Sequence, residues 1–378
     1  MSASRVQQEA CGELEDLALR DANQVLIAKT GDISTIVNGM KVHRRYAGVQ
    51  ERGCAALLIL ADDNDANQVL IANAGGIIAI VSGMEAHLDH TGVQEQGCWA
   101  LRNLAFNCVD NKVSIAKAGG ITAIVSAMIA HRDHTGAQEY GCWALRNLAG
   151  NDTNKVSIAT AGGIIAIVSV MKAYRDHAGI QEYGCLALAN VAVNVANKVS
   201  IAKAGGIAAI VSGLKAHRHH AGVQEQGYFA LRNIAVNDHN QLSIAKSGGI
   251  SAIVSGMKAH RDHAGIQEKG CGALRNLAGN DTNEVTIAKA GGIDDIVSGM
   301  KAHRNHAGVQ KQGCVALYNL SLNSKVALLI EASGGVNVLE AASEYQYAED
   351  ALLNVLRVDQ GTDGMISRRL VLCLDRAE

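Results

Sequence analysis

Gly53, Gly97, Gly141, Gly184, Gly227, Gly270 and Gly313 each stand inside the same local phrase, and they follow one another at steps of 44, 44, 43, 43, 43 and 43 residues. Ala10 extends the series upstream, and Ala348 closes it after a shortened step of 35. A period of this length marks a stack of like segments, because one segment is too small to bury its own apolar face and can do so only against its neighbours. Blades of strand-built propellers have similar lengths but need period-two alternation and β-rich runs. These segments have neither, so they read as helical.

Each segment divides into three pieces. In Asp110–Ala149 these are DNKVSIAKAGG, ITAIVSAMIAHRDHTG and AQEYGCWALRNLA. The first places Val113, Ile115, Ala116 and Ala118 on a short helix, ended by Gly119 and Gly120, where a left-handed residue without a Cβ is cheapest. Such pairs recur at 75, 119, 162, 205, 248, 291 and 334; with no strand before them they read as helix terminators, not phosphate loops. The second piece spaces Ile121, Ile124, Val125 and Met128 at helical intervals, then turns at HRDHTG. The third sets Cys142, Leu145, Leu148 and Ala149 on one face and Trp143 and Asn147 on another. Gly141, inside that helix, costs about 1 kcal/mol against Ala, so its recurrence points to a close helix crossing.

Composition narrows the functions. With no proline, 40 glycines and 3% aromatic residues, turns fall to glycine and the core is aliphatic. A net charge of −2 without runs of like charge gives no footprint for nucleic acid or an anionic membrane. No uninterrupted apolar span of about 18 residues occurs, and MSASRVQQEACGELEDL lacks the basic-then-apolar pattern of a leader. A cytoplasmic, reducing location is expected, with an organelle left open.

Nine cysteines are present, and Cys11, Cys54, Cys98, Cys142, Cys185, Cys271 and Cys314 share one repeat position, with Tyr228 in place of an eighth. Neighbours in such a column lie a helix-packing distance apart, beyond the roughly 4.4–6.8 Å Cα separation of a disulfide, so they read as core thiols. Cys108 and Cys373 have no metal-ligand spacing. Histidines form two columns: His43, His87, His131, His217, His260 and His303, then His90, His134, His177, His220, His263 and His306. No third ligand type recurs with them to complete a metal set, and histidine suits a helix C-terminus, so capping is expected, with a pH-sensitive surface as the alternative. No HExxH, P-loop or GxSxG occurs. Neither catalysis, cofactor nor metal is expected.

One further column remains. Asn103, Asn147, Asn190, Asn233, Asn276 and Asn319 each follow Ala-Leu-x, and four residues earlier stand Trp99, Trp143, Leu186, Phe229, Gly272 and Val315. Three of the chain's four Trp and Phe residues lie in that column. The two columns either bond within and between layers or face outward; Cys98 and Leu101 already define the core side. Arg102, Arg146, Arg232 and Arg275 precede the asparagines and offer guanidinium groups suited to carboxylates or phosphates.

VQEQGCWALRNLA, from Val93, resembles the third helix of an armadillo repeat of the importin-alpha and beta-catenin type, and KVSIAKAGGITAIVSAM resembles that repeat's first two helices. The resemblance runs from residue 6 to 357. It implies an all-α, right-handed α-α superhelix, an armadillo-type solenoid with three helices per 43–44-residue repeat. Residues 1–20 would form a capping helix, 21–322 seven full repeats, 323–357 a shortened last repeat and 358–378 a cap or tail. The family usually begins its second helix with proline, where this chain has glycine or an apolar residue. Equivalent asparagines in the family hold the backbone of an extended peptide, and tryptophans form slots for its side chains.

The expected function is therefore a non-enzymatic adaptor whose concave groove takes an extended or helical segment of another protein, acidic or phosphorylated. The expected contacts are Trp99, Arg102, Asn103, Trp143, Arg146, Asn147, Asn190, Phe229, Arg232, Asn233, Arg275, Asn276 and Asn319. Gly12 and Asp16, then Ala55 and Ile59, stand where aromatic residue and asparagine would be, so the first two layers lie outside it; Asn354 is the last possible rung. The alternative is an architectural subunit of a large complex or filament, contacted through edges, convex face or ends.

Overall fold

The computed structural model describes residues 3–18, 31–345 and 347–359. These residues are helical throughout, with no strand among them. After Ala3–Ala18 come Asp32–Val42 and Ala47–Leu60, and from Asp65 the chain repeats a helix of 9 residues, one of 11 and one of 14 or 15, as in Val109–Lys117, Gly120–Ala130 and Thr135–Leu148. The last triplet, Ser324–Ala332, Gly335–Ala341 and Ala348–Asp359, has a middle helix of only 7 residues. Of the expected C-terminal cap or tail, residues 360–378, with Cys373, lie outside the described residues.

Contacts divide the chain into two compact units, one of residues 1–174 and 193–204, the other of 175–192 and 205–378. In the first, the third helices Ala3–Ala18, Ala47–Leu60, Thr91–Ala105 and Thr135–Leu148 pack side by side as a row. In the second the row comprises Ala178–Val191, Ala221–Ile234, Ala264–Leu277, Ala307–Ser321 and Ala348–Asp359.

The glycine pairs do two jobs. Gly119 has φ +85°, the left-handed region, and so ends the first helix where its neighbour begins the second. Gly120 lies so close to the first helix that a Cβ on it would stand 2.9 Å from the Ile115 carbonyl oxygen. The two helices meet at 70° without proline, as they do across Gly75 (70°) and Gly162 (71°). Gly141 seats Met128, whose Cγ would be 2.6 Å from an added Cβ, which accounts for the close crossing of second and third helices. Ile121, Ile124, Val125, Met128, Cys142, Leu145, Leu148 and Ala149 are buried, as their spacing predicts.

Several polar columns are used by the fold itself. Gln138, fully buried, donates from Nε2 to the carbonyls of Met128 (2.9 Å) and His131 (2.7 Å), and so closes the C-terminus of the second helix. Asn111 donates to the Leu104 carbonyl at the end of the preceding third helix (3.0 Å) and to the Gln68 carbonyl one repeat earlier (3.3 Å). The histidine columns divide the work. His131 bonds through Nε2 to the Leu88 carbonyl of the preceding repeat at 2.6 Å, and Tyr174, in the same column, donates from its hydroxyl to Arg132 at 2.9 Å. His134, expected near a helix C-terminus, is instead an N-cap: its Nδ1 accepts from the backbone N–H of Ala137 at 3.3 Å.

Candidate docking site

In the first compact unit, Trp99 and Trp143 are half-buried, and each ring is gripped by a side chain from an adjoining layer. The Trp99 indole stacks on Tyr140, with centroids 4.3 Å apart and planes 14° from parallel. The Arg102 guanidinium carbon lies 3.4 Å above the centre of the Trp143 ring, a cation–π contact. Tyr140 is absent from the sequence-derived site. Its column holds a second tyrosine, Tyr183, beside residues such as Gln96 and Gln312, so its ring and its place one turn before Trp143 were the signals that could have suggested it.

The asparagines engage the seam between layers. Asn103 Nδ2 donates to the Leu58 carbonyl at 2.8 Å, and Asn147 Nδ2 to the Arg102 carbonyl at 2.9 Å. Their oxygens accept from Arg102 Nη1 and Arg146 Nη1, each at 2.8 Å. Asn103 is 3% exposed and Asn147 6%, so these two are seam residues where an open face is expected from the sequence. Arg102 also lies 4.0 Å from Asp62.

The second unit repeats the pattern with more exposure. Asn190, Asn233, Asn276 and Asn319 are half-buried. Asn233 donates to Ala189 (2.9 Å), Asn276 to Arg232 (2.8 Å) and Asn319 to Arg275 (2.9 Å). A carboxamide has two N–H groups and two acceptor lone pairs, so such a rung keeps a donor and an acceptor beyond its seam bond. Phe229 is half-buried with Lys269 Nζ 5.8 Å from its ring centre. Arg275 Nε donates to Asn276 Oδ1 at 3.0 Å. Burial, and then the neighbouring charge of Arg232, hold the Arg275 guanidinium below its usual pKa. Among the described residues no carboxylate stands within salt-bridge distance of Arg232 or Arg275.

The thiol column offers no nucleophile. Burial pushes Cys54, Cys142, Cys271 and Cys314 up to about 12, and Cys98 upward as well, so the reactive thiolate is not formed near neutrality. Among the described residues no three His, Cys, Asp or Glu side chains come together as metal ligands, and no single helix is long and apolar enough to cross a membrane.

Residues 76–248 match the family model described as LRRK2 ARM repeat. No curated protein sequence matches the chain. Among solved structures, an engineered protein from a structural genomics consortium superposes with a TM-score of 0.70 at 23% identity, covering 94% of this chain and 96% of its own. A second engineered protein gives 0.58 at 24% identity, over 65% of this chain and 97% of its own. A chain solved in work on a phosphorylation switch in the interaction between cadherin and beta-catenin gives 0.71 at 18% identity, over 91% of this chain and 69% of its own. At these identities the structures speak for the fold alone, and the family model speaks for the repeats. Recurring helix triplets and glycine-hinged turns give the chain an armadillo-type fold, and residues 76–248 carry the sequence pattern of the matched ARM-repeat model.

Proposed function

We propose that this protein is a non-enzymatic interaction scaffold, and that its rows of third helices dock an extended, acidic or phosphorylated segment of another protein. One observation carries the reading: Arg232 and Arg275 stand half-buried as neighbours on adjoining third helices, with no carboxylate among the described residues to balance them. Paired guanidinium groups without acids favour a bound anion. The partly exposed rings of Trp99, Trp143 and Phe229 add stacking surface, and the second N–H groups of Asn233, Asn276 and Asn319 suit an extended backbone. Arg102, Asn103, Arg146 and Asn147 set the positions of these groups from within the seam. The buried thiols fit a reducing compartment such as the cytoplasm. A bead-displayed random peptide library selected with the full chain tests the reading: acidic and phosphorylated sequences are expected, and lysine-rich sequences would overturn it.

A second reading rests on a different surface. In the first unit Ile129 and Ile165 are 50% and 65% exposed and line a groove of about 370 Å³ with Met128, Ala166 and Val170. Such a patch suits an architectural subunit held through its second helices. Light scattering of Ile165→Glu against the parent chain tests it, since only an assembling surface would lose mass.

A further inference from the structure

We infer that the second unit carries a subsite for one acidic residue of the docked polypeptide, built at Gly272 by Arg232, Arg275 and Gln312; the inference rests on the docking reading above. At two positions of this column a ring fills the space between adjoining layers, Trp143 under Arg102 and Trp99 against Tyr140. At Gly272 there is no ring. Arg232 folds across the gap instead, with Cδ and Nε 3.1 and 3.3 Å from where a Gly272 Cβ would stand, and Gln312 Oε1 comes within 3.4 Å of the same point.

The niche is chemically incomplete. Among the described residues Arg232 has neither a ring beneath it nor a carboxylate within salt-bridge distance, and its close neighbour Arg275 repels it. Gln312 is 7% exposed, and its Oε1 accepts no hydrogen bond among the described residues. Buried acceptors are almost always paired, so an orphan beside two unbalanced cations calls for a ligand that brings both an anion and a donor. A free inorganic dianion such as sulfate brings acceptors only and would face the lone pairs of Gln312. An aspartate, glutamate or phosphoserine within a chain supplies both, with its side chain on the guanidinium groups and its own main-chain N–H on Gln312. Glu268, the nearby acid on the Gly272 helix, is already paired with Lys269 at 3.2 Å and does not compete. Arg232, Arg275 and Asn276 are half-exposed, so the niche opens on the surface of the row.

The test uses the full chain and fluorescent decapeptide pools, random except for a central Asp, phosphoserine, Asn or Lys. Tighter binding of the Asp and phosphoserine pools than of the Asn pool is expected, with the preference erased in Arg232→Gln and in Gly272→Trp, which refills the gap with a ring. The best Asp peptide, remade with N-methyl-Asp, should bind about 5- to 10-fold more weakly to the parent chain and no more weakly to Gln312→Leu, which has no acceptor to lose. Thermal melts identify any variant that fails to fold, and Gly272→Trp then carries the comparison. If Arg232→Gln and Gly272→Trp keep the preference while Arg146→Gln abolishes it, the subsite is wrong and the docking reading survives. If no acidic pool exceeds the Lys pool, both fall.

Discussion

Asn147 donates a hydrogen bond to the backbone carbonyl of Arg102, 2.9 Å away and 45 residues earlier in the chain, while its own oxygen accepts from Arg146 at 2.8 Å. A side chain with the look of a ligand contact is thus a rivet between two layers. Asn147→Ala should leave the Arg102 carbonyl without its partner and lower stability by about 1–3 kcal/mol. Urea unfolding followed by circular dichroism measures it; an unchanged midpoint would show that the seam bond contributes nothing.

Asp295 stands where other repeats have alanine, as at Ala123 and Ala252, and is 4% exposed. Burial raises its pKa to about 6, against the opposing pull of Lys258, 3.9 Å from its carboxylate, and of Arg261. The folded chain therefore binds this proton more tightly than the unfolded chain, and stability contributed by the protonated acid is lost as pH rises from about 4 to 6. Asp295→Asn should remove that slope and gain roughly 1–3 kcal/mol at pH 7 relative to the parent. Unfolding midpoints at pH 4.5 and 7 for both chains check the difference.

His134 caps its helix only through an Nδ1 that carries no proton. His134→Asn keeps a capping acceptor and should stay within a few tenths of a kcal/mol of the parent, whereas His134→Ala should cost about 1 kcal/mol. Thermal unfolding of the two variants side by side decides it; equal losses would mean that the imidazole matters by packing and not by capping.

Of the described cysteines, Cys108 alone is not buried. Iodoacetamide under native conditions should alkylate Cys108 well before Cys54, Cys98, Cys142, Cys271 or Cys314, by mass-spectrometric mapping. Early labelling of Cys142 would contradict its burial and its raised pKa.

Period, glycine hinges and core were legible because each follows from local geometry that a sequence carries directly. Gly119 must have positive φ where one helix turns into another at 70°, and Ile121, Ile124 and Val125 must face inward to bury anything. The asparagine column was legible as a constraint but not as a cause. A carboxamide recurring one repeat apart serves a partner's backbone or the previous helix's carbonyl equally well, and only coordinates separate the two. Gln138 was overlooked for a similar reason: a glutamine one turn from a helix start reads as solvated surface, yet it is buried against the end of another helix. Positions that repeat faithfully mostly build this protein. Departures such as Gly272 and Asp295 leave groups that the repeat itself does not complete.

The seam bonds of Asn103 and Asn147 each reach 45 positions along the chain, about one repeat. A rivet of this kind can therefore close as soon as the next forty-odd residues have emerged, with no need to wait for a distant terminus. Such short-range wiring favours assembly by accretion and loss by fraying from either tip. Truncation at a repeat boundary should thus shorten the stack while the layers left behind keep their own bonds.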